Sequence, residues 1–295
     1  MTQPLVITHA QCIDGFTAAW VARRTWPECE VVFARYGDPP PDVSGRTVCV
    51  FDFAYPRPVT EQLIADAASF YCADHHKSAQ ADLTGLPNCH FHMGMSGAHL
   101  AWEHFNSRSV DIPWLVEYTE DRDLWRFALP HSEEVNAWIG TVEMTYKNWD
   151  LMSKANFGTL ALRGEAVLSK VRQYVREMVQ LAYPCRLPYP QSPVVPCVNA
   201  PYINMSEVVG ALAQGKDNGA NRVLFAAAGD REGVPLVVER PDYAIGWFHR
   251  PDGKYQYSLR SRGEFDVAEV VELFGGGGHR NAAGFTVDQR VDERV

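Results

Sequence analysis

Between Leu5 and Trp102 short apolar runs alternate with helix-like stretches, and this alternation constrains the fold more than any other feature of the chain. Leu5–Thr8, Val31–Arg35, Thr47–Phe53 and Ser69–Ala73 are rich in β-branched and aromatic residues and read as strands. Asp14 to Arg24 places Phe16, Ala19 and Trp20 on one helical face. Pro58 to Ala68 opens on a proline that suits a first helical turn and carries Leu63, Ile64 and Ala67. Strands separated by helices form a mostly parallel sheet covered on both faces, so the class is α/β.

Further helices are expected at Ser96–Phe105, Pro113–Tyr118 and Gly164–Ala182, after which the chain changes character. Tyr183 to Pro201 holds six prolines and reads as a linker. Beyond it lie a helix at Ser206–Gln214, strands at Arg222–Ala228 and Tyr255–Arg260, and a glycine run at Gly275–Gly278. A length of 295 residues, 46% of them hydrophobic, suits two globular domains. The expected organisation is a first α/β domain over 1–183, a linker over 184–200 and a smaller α/β domain over 201–295.

Lys and Arg number 27 against 36 Asp and Glu, a net charge of −9 spread along the chain. Binding to long duplex nucleic acid needs clustered cations, and none is visible. An anionic ligand would have to be small and held locally, by metals or a few arginines. Seven cysteines, odd in number and without a Cys-x-x-Cys pair, fit a reducing cytosol. Neither a signal segment nor an apolar run of about 18 to 20 residues is present, so neither secretion nor a membrane partner is expected.

In open α/β sheets reactive groups gather at the carboxyl ends of the strands. There the first strand leads into His9 and Asp14, the third into Asp52, and the next into Asp74-His75-His76. Carboxylates brought together repel unless a divalent cation compensates them, and oxygen with imidazole donors suits manganese, magnesium, iron or zinc. Taken singly, each could be a surface acid or, like Asp14, a helix cap.

These residues, with Ser258-Leu-Arg-Ser-Arg262 and the run from Gly275 to Phe285 that contains Gly276, Gly277, Gly278, His279 and Arg280, resemble the DHH phosphoesterase superfamily with its associated C-terminal domain, as in nanoRNases and cyclic-dinucleotide phosphodiesterases. The resemblance spans nearly the whole chain. It implies one metal held by His9, position 12 and Asp52, and a second held by Asp14, Asp52, His75 and a later acid. Two manganese ions are the expected cofactors, with Mg2+, Fe2+ or Zn2+ as other candidates. Position 12 is Cys12 where the family carries an acid. A thiolate would favour zinc or iron, whereas a thiol would merely pack under the loop. For the later acid, Asp121 is preferred because it begins Asp-Arg-Asp-Leu-Trp-Arg-Phe, with Asp123 as the other choice.

By the same resemblance His76 would contact the scissile phosphate and Asp74 would orient an imidazole. Arg260, Arg262, His279, Arg280 and the backbone of Gly276–Gly278 would hold the substrate's other phosphate or terminal nucleotide in a cleft between the domains. The expected reaction is hydrolysis of linear dinucleotides such as pGpG, or of very short RNA, to mononucleotides. A cyclic-dinucleotide phosphodiesterase, a RecJ-type exonuclease and a nucleotide-binding protein with a decayed metal site are the alternatives. Other features read as ordinary structure: His90 and His92 as a polar strand face, Tyr243, Trp247 and Phe248 as core, and Ser206 as either a family motif or a helix cap.

Overall fold

The computed structural model describes residues 3–106, 110–215 and 241–295, with the backbone of two further strands, Arg222–Gly229 and Pro235–Glu239. The chain divides into two compact units, 1–168 and 169–295. The first unit runs β1 (Leu5–His9), α1 (Ile13–Thr25), β2 (Glu30–Ala34), β3 (Thr47–Phe51), α2 (Arg57–Asp66), β4 (Ser69–Asp74), α3 (Lys77–Leu83), β5 (Cys89–Phe91), α4 (Gly97–Phe105), α5 (Trp114–Asp123), α6 (Ser132–Ile139) and α7 (Tyr146–Ser153). The division falls inside α8 (Phe157–Val179).

The five strands pair in parallel in the order β2-β1-β3-β4-β5. Side chains of β1 and β3 alternate between two buried faces. Leu5, Ile7, Val48 and Val50 join the cluster containing Leu63 and Leu83, whereas Val6, Cys49 and Phe51 join Trp20, Trp102 and Trp149 on the other side. Burial on both faces explains why these strands read as continuous apolar runs. Because the chain reverses its direction of travel through the sheet between β1 and β3, the crevice of this unit opens at the carboxyl ends of those two strands.

The second unit contains β6 (Tyr183–Arg186), β7 (Val195–Asn199), α9 (Met205–Gln214), β8 (Arg222–Gly229), β9 (Pro235–Glu239), β10 (Tyr243–His249), β11 (Tyr255–Ser261), α10 (Val267–Glu272), β12 (Gly277–His279), β13 (Ala282–Val287) and β14 (Glu293–Arg294). Its main sheet is mixed, in the order β12-β13-β11-β10-β7-β6-β14, while β8 and β9 pair as a separate ribbon.

The proline-rich stretch over 184–200 is therefore not a linker: it supplies β6 and β7 of this sheet. Pro184 stands opposite Pro196 in the antiparallel register, and the β7–β10 ladder begins one residue later, at Cys197. Proline is tolerated where no ladder hydrogen bond needs its missing N–H. Tyr243 is fully buried and Trp247 donates from Nε1 to the Tyr183 hydroxyl at 2.7 Å, so this aromatic cluster belongs to the core.

Asp292 ties the unit's end to its centre. Its carboxylate accepts from the hydroxyls of Tyr183 and Tyr257, both at 2.7 Å, and from the Arg290 guanidinium at 2.6 Å. Burial works against the charge, but these donors outweigh it and hold the carboxyl below its ordinary value of 3.8. A depressed native pKa contributes stability above that ordinary value and loses it as the pH falls through the native one. Asp292→Asn is expected to lower the unfolding temperature at pH 7, with the gap from the parent protein narrowing below about pH 4 in a thermal-melt series.

Candidate metal centre

Three strand ends and two helix ends build the cluster. β1 delivers His9, α1 opens with Cys12 and Asp14, β3 leads into Asp52, β4 ends at Asp74 before His75 and His76, and α5 ends at Asp123. Strand β3 stops at Phe51 because Asp52 takes a left-handed backbone, φ 56°. Asp tolerates that region better than most side chains, and here the bend accompanies a carboxylate placed in the crevice.

Helix α4 closes the floor. The Asp14 carboxylate accepts from the backbone N–H of Gly97 at 2.6 Å and of Ala98 at 2.9 Å, a carboxylate seated on a helix N-terminus. The approach requires glycine, because a Cβ on Gly97 would lie 2.2 Å from the Asp52 Cβ.

Two donor groups contain Cys12 and Asp123, beside a further one of Asp52, Asp74, His75 and His76. Ligand atoms of His9, Cys12 and Asp52 lie within 4.8 Å of one another, and so do those of Asp14, His75 and Asp123. Asp52 joins them, since its Oδ1 is 3.1 Å from His75 Nε2 while its Oδ2 lies 3.9 Å from His9 Nδ1. His75 Nε2 is 3.7 Å from Asp14 and 3.5 Å from Asp123. Asp52 Oδ2 and Asp123 Oδ2 are buried oxygens with no hydrogen-bond partner among the described residues. Unpartnered carboxylate oxygens beside imidazole and sulfur donors fit divalent cations, which would be held by these six side chains.

Asp121 lies elsewhere. Its carboxylate accepts from the backbone N–H of Ala128 at 3.0 Å and of Leu129 at 3.3 Å, and from the Ser132 hydroxyl. It pins the turn after α5, and geometry puts Asp123 in the cluster instead. The two acids lie two positions apart on one helix and so face different ways.

Asp74 and His76 form a unit beside the metal donors. Asp74 Oδ1 accepts from the His75 backbone N–H at 2.7 Å and faces His76 Nδ1 at 2.8 Å. Burial pushes Asp74 up, but His76 and the His75 N–H outweigh it and hold the carboxyl low. Burial likewise pushes His76 down, and Asp74 reverses this to about 9.

Asp52, Asp123, His75 and Cys12 hold their protons more tightly than the free groups, whereas burial and the neighbouring His76 push His9 down. Burial and the neighbouring Asp14 raise Asp52 to about 8 and Asp123 to about 6. His75 loses to burial but gains more from Asp52, Asp123 and Asp14, reaching about 10. Burial and three nearby carboxylates push the Cys12 thiol well above its ordinary range, so a cation there must displace its proton.

Several neighbours were not singled out from sequence. Tyr36 packs its ring 5.5 Å from His9 and 5.1 Å from Phe53. Glu120 binds His99 Nδ1 at 2.6 Å and the Ser96 N–H at 3.1 Å, bracing the start of α4. A polar residue one turn of α5 before Asp123 was the available signal for Glu120. His90 stacks on Tyr71 and His92 accepts from the Gly94 N–H, and neither is in a metal-binding group among the described residues.

In the second unit, Arg260 donates to the Ser206 hydroxyl at 2.7 Å and to Ser258 at 3.0 Å, which gives Ser206 a role other than a cap. Arg280 pairs with Glu264 at 2.5 Å, and Arg262 follows directly after β11. The glycine run is not a loose loop. Gly277 and His279 lie in β12, paired to β13, and a Cβ on Gly278 would lie 2.6 Å from the Ala282 carbonyl oxygen.

Comparison with known proteins adds three findings. Residues 206–295 match the DHHA1 domain family. Over 316 residues the chain is 24% identical to uncharacterized protein R106 of Acanthamoeba polyphaga mimivirus, covering 95% of this chain and 66% of that relative's length. Among solved structures, the DHH domain of a member of the s1p family of ribosomal proteins aligns with a TM-score of 0.56 at 13% identity, covering 96% of this chain and 82% of that one. A pGpG-specific phosphodiesterase, PggH of Vibrio cholerae, aligns with a TM-score of 0.46 at 15% identity, over 97% and 93% of the two chains.

Two outcomes test the geometry. At pH 7 manganese is expected to expel about one or two protons on binding, and its affinity to rise from pH 6 towards pH 10, as calorimetry in buffers of different ionisation enthalpy reads. Gly97→Ala is expected to cost about 1–3 kcal/mol of stability and to weaken manganese binding, measured by denaturant unfolding and metal titration.

Proposed function

We propose that this chain, which matches the DHHA1 domain family over residues 206–295 and shares the fold of a DHH domain, is a metal-dependent phosphodiesterase acting on short nucleotides. The observation that carries this reading is the convergence of His9, Cys12, Asp14, Asp52, His75 and Asp123 within ligand distance at the crevice of the parallel sheet. Divalent cations bound by these residues would supply a hydroxide nucleophile from water and would stabilise the charge that builds at phosphorus.

The chain's own groups do the rest. Asp52 stands between the two donor groups and sets their spacing. His76, kept cationic near neutral pH by Asp74, donates a hydrogen bond to a non-bridging phosphate oxygen. Asp74 holds the ring by its Nδ1 side and so fixes its orientation.

A short substrate is favoured by charge. With a net −9 and no clustered cations, the chain lacks the electrostatic footprint for a long strand. Within residues 206–295, Arg260, Arg262, His279, Arg280 and the backbone of Gly276–Gly278 are the groups suited to a second phosphate. The reading is of linear dinucleotides such as pGpG, or RNA of a few residues, cleaved to mononucleotides with manganese as the expected ion.

The test is a time course with labelled pGpG, pApA and a seven-residue RNA in manganese, beside an Asp52→Asn control. Cleavage of the dimers faster than the heptamer is expected, and Asp52→Asn should lose more than about a hundredfold in kcat. Equal rates on all lengths would overturn the short-substrate reading. Binding without turnover under any divalent metal would mean that Cys12 had cost the centre its chemistry and would leave a nucleotide-binding protein.

A further inference from the structure

The side chains of Asp14, Asp52 and Asp74 are 2% exposed or less, whereas the cluster reaches solvent at His9, 28% exposed, and at Asp123, 26% exposed. Two residues along, Trp125 is 38% exposed and sits on a left-handed backbone, φ 56°, followed by Phe127 at φ 47°. Bulky residues rarely occupy that region, so the surrounding structure must impose it.

That structure is on every side. Backbone N–H groups of Arg126 and Phe127 donate to the Asp121 carbonyl at 2.8 and 3.3 Å, and the Asp121 carboxylate holds the chain at Ala128 and Leu129. The Arg126 guanidinium clamps Glu120 at 2.9 Å and the Gly94 carbonyl at 2.6 Å. The Arg122 guanidinium lies 4.3 Å from the Trp125 ring centroid, and Phe127 meets the same ring at 5.1 Å and 79°. An indole that keeps 38% of its surface exposed while a guanidinium and a phenyl ring hold it in place offers that exposed part of the ring to a flat partner.

We propose that Trp125, backed by Arg122 and Phe127, is a nucleobase-stacking platform on the Asp123 side of the metal cluster, taking the base of the nucleotide beside the scissile phosphate. The inference rests on the phosphodiesterase reading and narrows it to substrates with a base next to the cleaved bond. Stacking on an aromatic side chain tolerates any base, so the platform gives affinity for nucleotides over bare phosphodiesters rather than choosing among bases.

The experiment compares the parent protein with Trp125→Ala and Trp125→Phe on a dinucleotide and on an abasic analogue with the same phosphodiester. In parallel, equilibrium binding of a nucleoside monophosphate and of ribose 5-phosphate is measured with manganese present. Trp125→Ala is expected to raise KM for the dinucleotide by about five- to a hundredfold, with little change in kcat and none with the abasic analogue. It should also lose the parent's preference for the monophosphate over ribose 5-phosphate, Trp125→Phe should recover most of both effects, and manganese affinity should stay within about twofold. Equal losses on both substrates, or a parent that binds ribose 5-phosphate as tightly as the monophosphate, would overturn the platform. If no substrate is cleaved but the binding preference is present and vanishes in Trp125→Ala, the platform stands and the phosphodiesterase reading falls.

Discussion

The carboxylate of Asp14 on the N-terminus of α4 is the interaction on which the rest of the metal centre depends. It joins the first helix to the fourth through two backbone N–H groups and draws Gly97 against Asp52. A helix N-terminus carries partial positive charge and so favours a carboxylate beside it. Asp52 and Asp123 share the crevice with His75 and each is repelled by Asp14, which a cation would relieve.

The brace extends outward from there. Ser96 starts α4, its N–H is held by Glu120, and Glu120 is in turn held by His99 and Arg126. Arg126 belongs to the turn that displays Trp125, so one hydrogen-bonded network links the floor of the cluster, the helix bearing Asp123 and the exposed indole. Preorganisation of this kind keeps ligands in place when like charges would otherwise drive them apart.

The second unit is built on a different constraint. Its sheet is mixed and its closure relies on Asp292 between two tyrosines and an arginine, a buried charge compensated by geometry instead of by a metal. The glycines that suggested a phosphate loop are required by the packing of β12 on β13, since a side chain at Gly278 would strike the neighbouring backbone. Packing need and phosphate access are compatible, because both ask for a bare backbone.

Much of the first unit was legible from residue order alone. Period-two burial in β1 and β3 and the regular return of helices leave a parallel sheet as the way to bury both faces, and His9, Asp52, Asp74 and His75 follow because strand ends share one edge. Local pattern could not separate Asp121 from Asp123, since both lie at the end of one helix and only the turn at Ala128–Ser132 shows which carboxylate is consumed by backbone donors. Nor could it place Tyr183 to Asn199 in a sheet, because the prolines there argue for a linker until Pro184 is seen to face Pro196. Residue order by itself determined the parallel sheet of the first unit and the kinds of donor at its edge, through periodicity and the chemistry of side chains. Which acid faces the cluster, which imidazole keeps its proton and which indole stays exposed were decided only by tertiary structure, because each depends on partners distant in the chain and on the field those partners create.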